Sequence, residues 1–202
     1  RDYAEAARSF NYFDTASAAL HGSLDALNAC VECCDRHVGS GKLALHWEDR
    51  DGNTEQLSFE QLQALAARFA SVLSAQGVVA GDRVAGLLPR TPQLLVTILA
   101  TWRLGAVYQP LFTAFGPTAI EHRLHQSHAR VVVTDSHNRS KLDDVKGCPL
   151  IITVNARSGE LDFKQCLEQT PEGCDPVMLK GDDPFLLMFT SGTTGPAKPL
   201  QV

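Results

Sequence analysis

Short apolar segments alternate with amphipathic helical segments through the middle of the sequence, and this alternation restricts the possible folds more than any other feature. The apolar segments typical of strands are residues 84–88, 107–111, 131–133 and 150–154. Parallel strands need a long crossover between them, which is usually a helix. The order therefore predicts an α/β fold with a doubly wound, mostly parallel sheet and flanking helices.

The first of these helices has the clearest boundaries. Ser58 and Gln61 have the spacing of a capping box, and Gly77 stands where helices commonly end. The helix between them carries one apolar face, made of Leu62, Leu65, Phe69, Val72 and Leu73. This face predicts that the helix packs against the sheet.

Three further helices are predicted later in the chain. One begins at Thr91-Pro92 and ends at Gly105, and another begins at Gly116-Pro117-Thr118 with Thr118 and Glu121 at capping-box spacing. A short helix is expected over residues 138–146, and a polar, loop-rich stretch is expected before the last strand.

The amino-terminal residues indicate an attached element. Residues 14–37 are rich in alanine and leucine, which favours a helix with a break at Gly22. Residues 42–48 and 55–58 surround the turn Asp51-Gly52-Asn53 and predict a β-hairpin. We therefore expect a helical segment and hairpin over residues 1–58 and an α/β subdomain over residues 59–202.

The last strand leads into a segment suited to anions. Residues 185–189 are apolar, and the sequence TSGTTGPAKP follows at residues 190–199. Glycine lets backbone N–H groups approach an anion closely, hydroxyls add neutral donors, and Lys198 adds a compact positive charge. Ligands of such sheets bind beyond the carboxyl ends of the strands. We therefore expect a polyphosphate site here, on a solvent-facing loop.

Two other interpretations of this segment are available. A Walker A loop requires a different spacing: Lys198 does not directly follow a glycine, and Pro199 takes the place of the magnesium-binding hydroxyl. The second is an ordinary hairpin turn, the commonest use of a composition rich in glycine, serine and threonine.

The segment TSGTTGPAKP closely resembles the phosphate-loop signature of the adenylate-forming, AMP-binding superfamily, in which a glycine usually stands at the position of Pro199. That superfamily includes acyl-CoA synthetases, luciferase-like ligases and the adenylation domains of peptide synthetases. Residues 57–111 are also similar to its amino-terminal half. Residues 27–37 and 112–123 are similar to the acetyl-CoA synthetase branch, which handles short and medium carboxylic acids.

The resemblance implies the amino-terminal fragment of a cytoplasmic, ATP-dependent acyl-CoA synthetase of fatty acid metabolism, inactive by itself. In such an enzyme a carboxylate attacks the α-phosphorus of ATP, pyrophosphate leaves, and the acyl group of the acyl-AMP passes to the thiol of CoA. The resemblance assigns the ATP phosphates to Thr190, Ser191, Gly192, Thr193, Thr194, Gly195 and Lys198. The resemblance also implies that Lys198 is catalytic, through its positive charge.

The remaining ligands are also implied by the resemblance. CoA is assigned to Arg139 and Lys141, for which a solvated charge at a helix start is the alternative. The acidic ligand of Mg²⁺ and the residues that choose the acid belong to regions after Val202, so no metal ligand is expected here. The partners are then a small carboxylic acid, ATP, CoA and the rest of the polypeptide.

Two different functions remain open at this point. One is an adenylating ligase that delivers its acyl group to a carrier protein. The other is a non-catalytic nucleotide-binding module, which a natural stop near Val202 would favour.

Composition and charge argue against other classes. The net charge is -5 with both signs interspersed, which gives no nucleic-acid surface, and no apolar run is long enough to enter and cross a bilayer. Cys30, Cys33 and Cys34 with His37 suggest zinc, but packing in a helix is the favoured explanation. His122, His125 and His128 similarly suggest either a metal site or, as we expect, a solvated helix face.

Overall fold

The computed structural model describes residues 2–170, 172–190 and 195–202. The helices are α1 Tyr3–Ser9, α2 Tyr12–Ala19, α3 Ala29–Cys33, α4 Phe59–Ala75, α5 Pro92–Arg103, α6 Pro117–Ser127 and α7 Phe163–Gln169. The strands are β1 Leu43–Glu48, β2 Thr54–Ser58, β3 Arg83–Leu87, β4 Val107–Pro110, β5 Val131–Asp135, β6 Leu150–Val154, β7 Leu161–Asp162, β8 Leu187–Thr190 and β9 Lys198–Gln201. Single 3₁₀ turns cover Asp35–His37 and Arg139–Leu142.

The central sheet is parallel and has the order β4-β3-β5-β6-β7. If these five strands are renumbered along the chain, the order becomes 2-1-3-4-5, which is one of the two common orders of doubly wound sheets. Helices cover both faces: Val131 and Val133 of β5 belong to the core that contains α4, α5 and α7. Val132 belongs to the opposite core, with Ile120 and Leu124 of α6. The predicted α/β class and its parallel sheet are confirmed.

The boundaries of α4 follow the predicted signals. Gln61 N donates to Ser58 Oγ at 3.2 Å, and Ser58 N donates to Gln61 Oε1 at 2.8 Å, so both bonds of the capping box are present. Gly77 follows the helix with φ of +82°, a conformation that glycine adopts without strain. The predicted β1–β2 hairpin and the start of α5 at Pro92 are confirmed as well.

The break predicted at Gly22 within the helical residues 14–37 is confirmed, but it is longer than predicted and covers residues 20–28. In this range the chain is helical in α2, in α3 and in the 3₁₀ turn Asp35–His37, and the backbone between α2 and α3 binds to distant groups. Glu32 accepts hydrogen bonds from His21 N at 2.9 Å and from Gly22 N at 2.7 Å. Leu27 and Leu179 exchange backbone hydrogen bonds of 2.7 Å. These tertiary bonds outweigh the helix propensity of the alanine- and leucine-rich sequence.

Two other helix predictions also need correction. The helix α6 has Gly116 as its N-cap, and glycine has no side chain to cap it, so Thr118 lies inside the helix and the predicted capping box does not form. The Glu121 carboxylate accepts Lys146 N at 3.1 Å instead. The helix expected over residues 138–146 is a 3₁₀ turn of four residues. The loop-rich stretch expected before the last strand is confirmed over residues 172–186, but the residues before it form β7 and α7, where Asp162 caps the helix.

The last strand lies outside the five-stranded sheet. β8 pairs with β9 in an antiparallel two-stranded sheet, and this hairpin meets the free edge of β4 through a single parallel bridge between Tyr108 and Leu186. In the described part of the chain, no helix is long and apolar enough to cross a membrane.

Candidate functional site

The β8–β9 hairpin brings two predicted phosphate-binding residues together. Thr190 ends β8, Lys198 begins β9, and the two are Cα partners in the antiparallel register. Both are exposed to solvent. The hydroxyl and the ammonium group therefore stand at the two ends of the predicted loop, close enough to serve one ligand.

The direction of β8 sets where this pair lies in the fold. Tyr108 N of β4 donates to Phe185 O at 3.0 Å, and the Tyr108–Leu186 bridge is parallel. Trp102 Nε1 of α5 donates to Phe185 O at 2.8 Å and fixes the start of the strand. β8 therefore runs in the same direction as β4, and Thr190 lies at its carboxyl end. In open α/β sheets this is the side where ligands bind.

The interior of the loop is only partly within the described residues. Gly195 is exposed and has φ of +105°, which a residue with a side chain rarely adopts. The predicted ligands Ser191, Gly192, Thr193 and Thr194 lie outside the described residues. Their assignment to the ATP phosphates, like that of Thr190, Gly195 and Lys198, stays a prediction from the resemblance.

Helix α6 contributes contacts that the sequence pattern did not reveal. His122 Nε2 lies 2.9 Å from the Ala197 carbonyl oxygen, in the residue before Lys198. The guanidinium carbon of Arg123 lies 4.1 Å from the ring centroid of Phe115 and 5.5 Å from that of Phe189. His122 was expected on a solvated face and is half-buried against the hairpin, which corrects that expectation.

The other two histidines of α6 do lie on its exposed side, as predicted. His125 Nε2 lies 2.6 Å from the Lys146 carbonyl oxygen, and His128 closes the helix in the left-handed conformation with φ of +51°. The regular spacing of three residues does not distinguish His122 from the other two histidines. Its partner, Ala197, lies 75 residues further along the sequence, so no local pattern reveals the contact.

The residues assigned to CoA already have protein partners. Arg139 lies 2.7 Å from the Asp143 carboxylate and 3.0 Å from that of Glu160. Lys141 Nζ donates to the Thr113 carbonyl and, at 2.8 Å, to Asn138 Oδ1. The alternative explanation, a freely solvated charge at a helix start, therefore fits neither side chain. Their role toward CoA stays a prediction.

The clustered cysteines pack in two different ways. Cys30 and Cys34 have no exposed surface and belong to the core, as the packing explanation predicts, whereas Cys33 is exposed. Burial raises the pKa of the Cys34 thiol to about 12, and the neighbouring Asp35 adds to this effect. A high thiol pKa disfavours the thiolate that zinc binding needs. Across the described ranges, no group of three or more His, Cys, Asp or Glu side chains is arranged to hold a metal.

Comparisons with known proteins show the family to which this chain belongs. The family model for AMP-binding enzymes matches residues 34–202. The acetyl-coenzyme A synthetase of Shewanella denitrificans is 30% identical over 213 residues, which include 92% of this chain and 33% of that protein. The corresponding enzyme of Sodalis glossinidius is 32% identical over 198 residues, with shares of 85% and 30%.

Solved structures agree with this match. The crystal structure of an acyl-CoA synthetase from Brucella canis superposes with a TM-score of 0.93 at 46% identity, covering 99% of this chain and 38% of that chain. An anthranilate CoA ligase in complex with anthranoyl-AMP has a TM-score of 0.78 at 22% identity, covering 87% and 34%, and supports the fold alone. The chain spans about a third of the length of these relatives.

Proposed function

Because this chain belongs to the AMP-binding enzyme family, we propose that it forms the phosphate-binding part of an ATP-dependent acyl-CoA synthetase. The proposed reaction activates a carboxylic acid as acyl-AMP with release of pyrophosphate, and then transfers the acyl group to CoA. A short or medium acid is the proposed substrate, since acetyl-coenzyme A synthetases are among the relatives. A cytoplasmic location, where ATP and CoA are available, remains part of this proposal.

The pairing of Thr190 with Lys198 is the observation that carries the proposal. The two residues flank a loop of small residues at the carboxyl side of the sheet, where a polyphosphate chain can contact both at once. Lys198 supplies a compact charge and the Thr190 hydroxyl supplies a neutral donor. Phosphate oxygens accept from both groups, so the two ends of the loop are complementary to ATP.

The same pair explains how the loop would accelerate adenylation. When the carboxylate attacks the α-phosphorus, negative charge grows on the departing β- and γ-phosphates. A cation and a hydroxyl beside them stabilise the transition state more than bound ATP, which lowers the barrier. Since the part of the chain in the structure holds no cluster of carboxylates fit for Mg²⁺, no step is assigned to a metal ion bound by these residues.

Pyrophosphate exchange in the full-length protein tests the proposal. The enzyme is incubated with ATP, labelled pyrophosphate and a series of acids from acetate to octanoate, and carboxylate-dependent label in ATP is measured. Addition of CoA to the productive acid should then give the acyl-CoA thioester. Exchange without thioester formation would favour delivery to a carrier protein, and no exchange with any acid would overturn the proposal.

The 202-residue chain alone provides the matched control. We propose that it catalyses no carboxylate-dependent exchange, because its described residues include no cluster of three or more His, Cys, Asp or Glu side chains arranged to hold a metal, and the chain spans about a third of the length of its relatives. Exchange above background by this chain would show that the site is more complete than proposed.

A further inference from the structure

We propose that His122 and Arg123 of α6 are positioning residues that hold the two sides of the phosphate loop at a fixed distance from each other. The proposal rests on the function proposed above and adds the element that orients the loop. Arg123 contacts Phe189, the residue before Thr190, and His122 contacts Ala197, the residue before Lys198. Each contact is thus one residue from a proposed phosphate-binding side chain.

The His122 bond has a defined direction. Its partner is the Ala197 carbonyl oxygen, which only accepts, so Nε2 must carry the hydrogen at the observed separation of 2.9 Å. The imidazole ring also lies edge-on to Phe189, with ring centroids 6.2 Å apart. One side chain of α6 therefore touches both sides of the hairpin, at the residues that precede Thr190 and Lys198.

The Arg123 contact strengthens the side that enters the loop. Its guanidinium lies over Phe115 and near Phe189, and its Nη1 donates to the Ala119 carbonyl at 2.9 Å, which fixes the side chain. Cation–π contacts of this kind are stabilising, and more so where water is excluded. Phe189 is therefore held against α6 and not only by its strand partner.

The hairpin needs such support at this end. A two-stranded hairpin alone is marginally stable in water, and every residue of β9 is exposed. The bonds of Phe185 to Tyr108 and Trp102 support the opposite end, at the start of β8. The α6 contacts therefore add support beside the pair Thr190–Lys198, at the end of the hairpin away from Phe185.

Hydrogen exchange of the full-length protein tests the positioning role without reference to activity. His122→Ala should raise the exchange rate of backbone amides in residues 187–201 about twofold to tenfold, as expected from the loss of one hydrogen bond. His122→Gln keeps a donor at a similar reach and should restore most of the protection. Arg123→Met should raise exchange mainly in β8.

His125→Ala is the matched control, because His125 makes the same kind of bond from the same helix to Lys146 instead of the hairpin. It should leave exchange of residues 187–201 unchanged. Unchanged exchange in His122→Ala, or an equal increase in His125→Ala, would overturn the proposal.

Half-reaction kinetics then test the consequence for the loop. His122→Ala should raise the KM for ATP and lower the adenylation rate, His122→Gln should recover both, and thioester formation from ready-made acyl-AMP should be unaffected. Equal losses in both half-reactions would contradict a role in positioning the loop. If the wild-type enzyme adenylates no acid, the proposed function fails, while the exchange experiment still decides whether α6 fixes the hairpin.

Discussion

Arg103, the last residue of α5, places its guanidinium Nη1 2.6 Å from the Asp35 carboxylate, and the two side chains are only 6% and 14% exposed. Arg103 Nε also donates to the Cys174 carbonyl at 2.6 Å. Through these two bonds Arg103 joins three segments that are far apart in the sequence: α5, the 3₁₀ turn Asp35–His37 and the loop that precedes β8. Loss of this ion pair should lower the free energy of unfolding much more than loss of a surface pair.

Arg103→Met should lower the free energy of unfolding by about 3–5 kcal/mol, because it leaves the buried Asp35 charge without a partner. The double variant Arg103→Met with Asp35→Asn should cost less than the sum of the two single changes, since neither charge is then left alone. Urea unfolding followed by circular dichroism measures both effects.

The exposed pair Lys164–Glu168, with 3.9 Å between its charged atoms and exposures of 84% and 62%, is the control. Lys164→Met should change the free energy of unfolding by less than about 1 kcal/mol. An Arg103 variant as stable as the Lys164 variant would contradict the importance of the buried pair.

Asn28→Ala should be another strongly destabilising change. The Asn28 amide is buried and donates to the carbonyl oxygens of Trp102 at 2.8 Å, Val177 at 2.8 Å and Arg103 at 3.2 Å. Its Oδ1 also caps α3 by accepting Cys30 N at 2.9 Å and Val31 N at 3.3 Å. Because several buried backbone groups lose their partners together, we expect a loss of about 3 kcal/mol or more in urea unfolding.

Asn11 provides a matched control, since it is also an N-cap but caps the exposed helix α2, and among the described residues its side chain accepts hydrogen bonds only from Phe13 N and Asp14 N. Asn11→Ala should cost at most about 1 kcal/mol. Similar losses in the two variants would mean that capping alone, and not the bonds to α5, explains the role of Asn28.

Asn28 and Glu32 show why part of the fold escaped prediction from the sequence. The parallel sheet was predictable because its strands and helices carry local signals, such as the capping box of Ser58 and Gln61. The shape of residues 20–28 depends on bonds that Asn28 and Glu32 make to groups distant in sequence or already positioned by folding. Propensity, which is a local property, favours a helix there.

The candidate site divides in the same way. The loop TSGTTGPAKP was recognisable because phosphate binding requires particular residue types in one short segment. The contact of His122 with Ala197 depends on how α6 lies against a hairpin formed much later in the chain. A histidine on an amphipathic helix carries no sequence signal for such a contact, so only the structure reveals it.

The buried cysteines should be protected from alkylation in the folded protein. Burial raises the pKa of Cys34 to about 12 and moves the pKa of Cys30 well above its usual range, and both thiols are fully enclosed. Exposed Cys33 also has a raised pKa, from partial desolvation and then from Glu32, yet remains accessible. At about pH 8, iodoacetamide followed by peptide mapping should modify Cys33 well before the other two.

Protection of Cys30 and Cys34 should disappear in urea, where both thiols meet the reagent and have ordinary pKa values. Native modification of Cys30 or Cys34 as fast as that of Cys33 would contradict their burial. The comparison uses three cysteines within five residues, so differences in local peptide recovery are small.

The raised pKa values of Cys30 and Cys34 predict that the free energy of unfolding falls at alkaline pH. Their folded pKa values are raised, so the folded state holds protons that the unfolded state releases above about pH 8.5. The stabilising contribution is complete below that pH and falls as pH rises toward the folded pKa values, by up to about 1.4 kcal/mol per pH unit and thiol. Urea unfolding between neutral and alkaline pH measures this slope.

The double variant Cys30→Ala with Cys34→Ala is the control for the pH effect. It should be less stable at neutral pH because it leaves cavities, but its stability should fall less steeply with rising pH. An unchanged slope would show that other groups cause the alkaline loss, with Tyr108, whose pKa is also raised by burial, as the first to examine.

Lys198 provides the most direct test of the proposed chemistry in the full-length enzyme. Its charge should matter mainly as pyrophosphate departs, because negative charge on the β- and γ-phosphates is then greatest. Lys198→Ala should therefore lower the adenylation rate by a factor on the order of 10 to 1,000, and more than it weakens ATP binding. Lys198→Arg should recover only part of the rate, because a planar guanidinium does not reproduce a compact ammonium.

Separate measurement of the two half-reactions decides what the Lys198 result means. Thioester formation from ready-made acyl-AMP and CoA should be nearly unchanged in Lys198→Ala, because pyrophosphate has already left. Lys164→Ala, which removes a lysine 84% exposed in α7, should alter neither half-reaction. Equal losses in both half-reactions for Lys198→Ala would mean that Lys198 supports the hairpin opposite Thr190, and the transition-state role would have to be withdrawn.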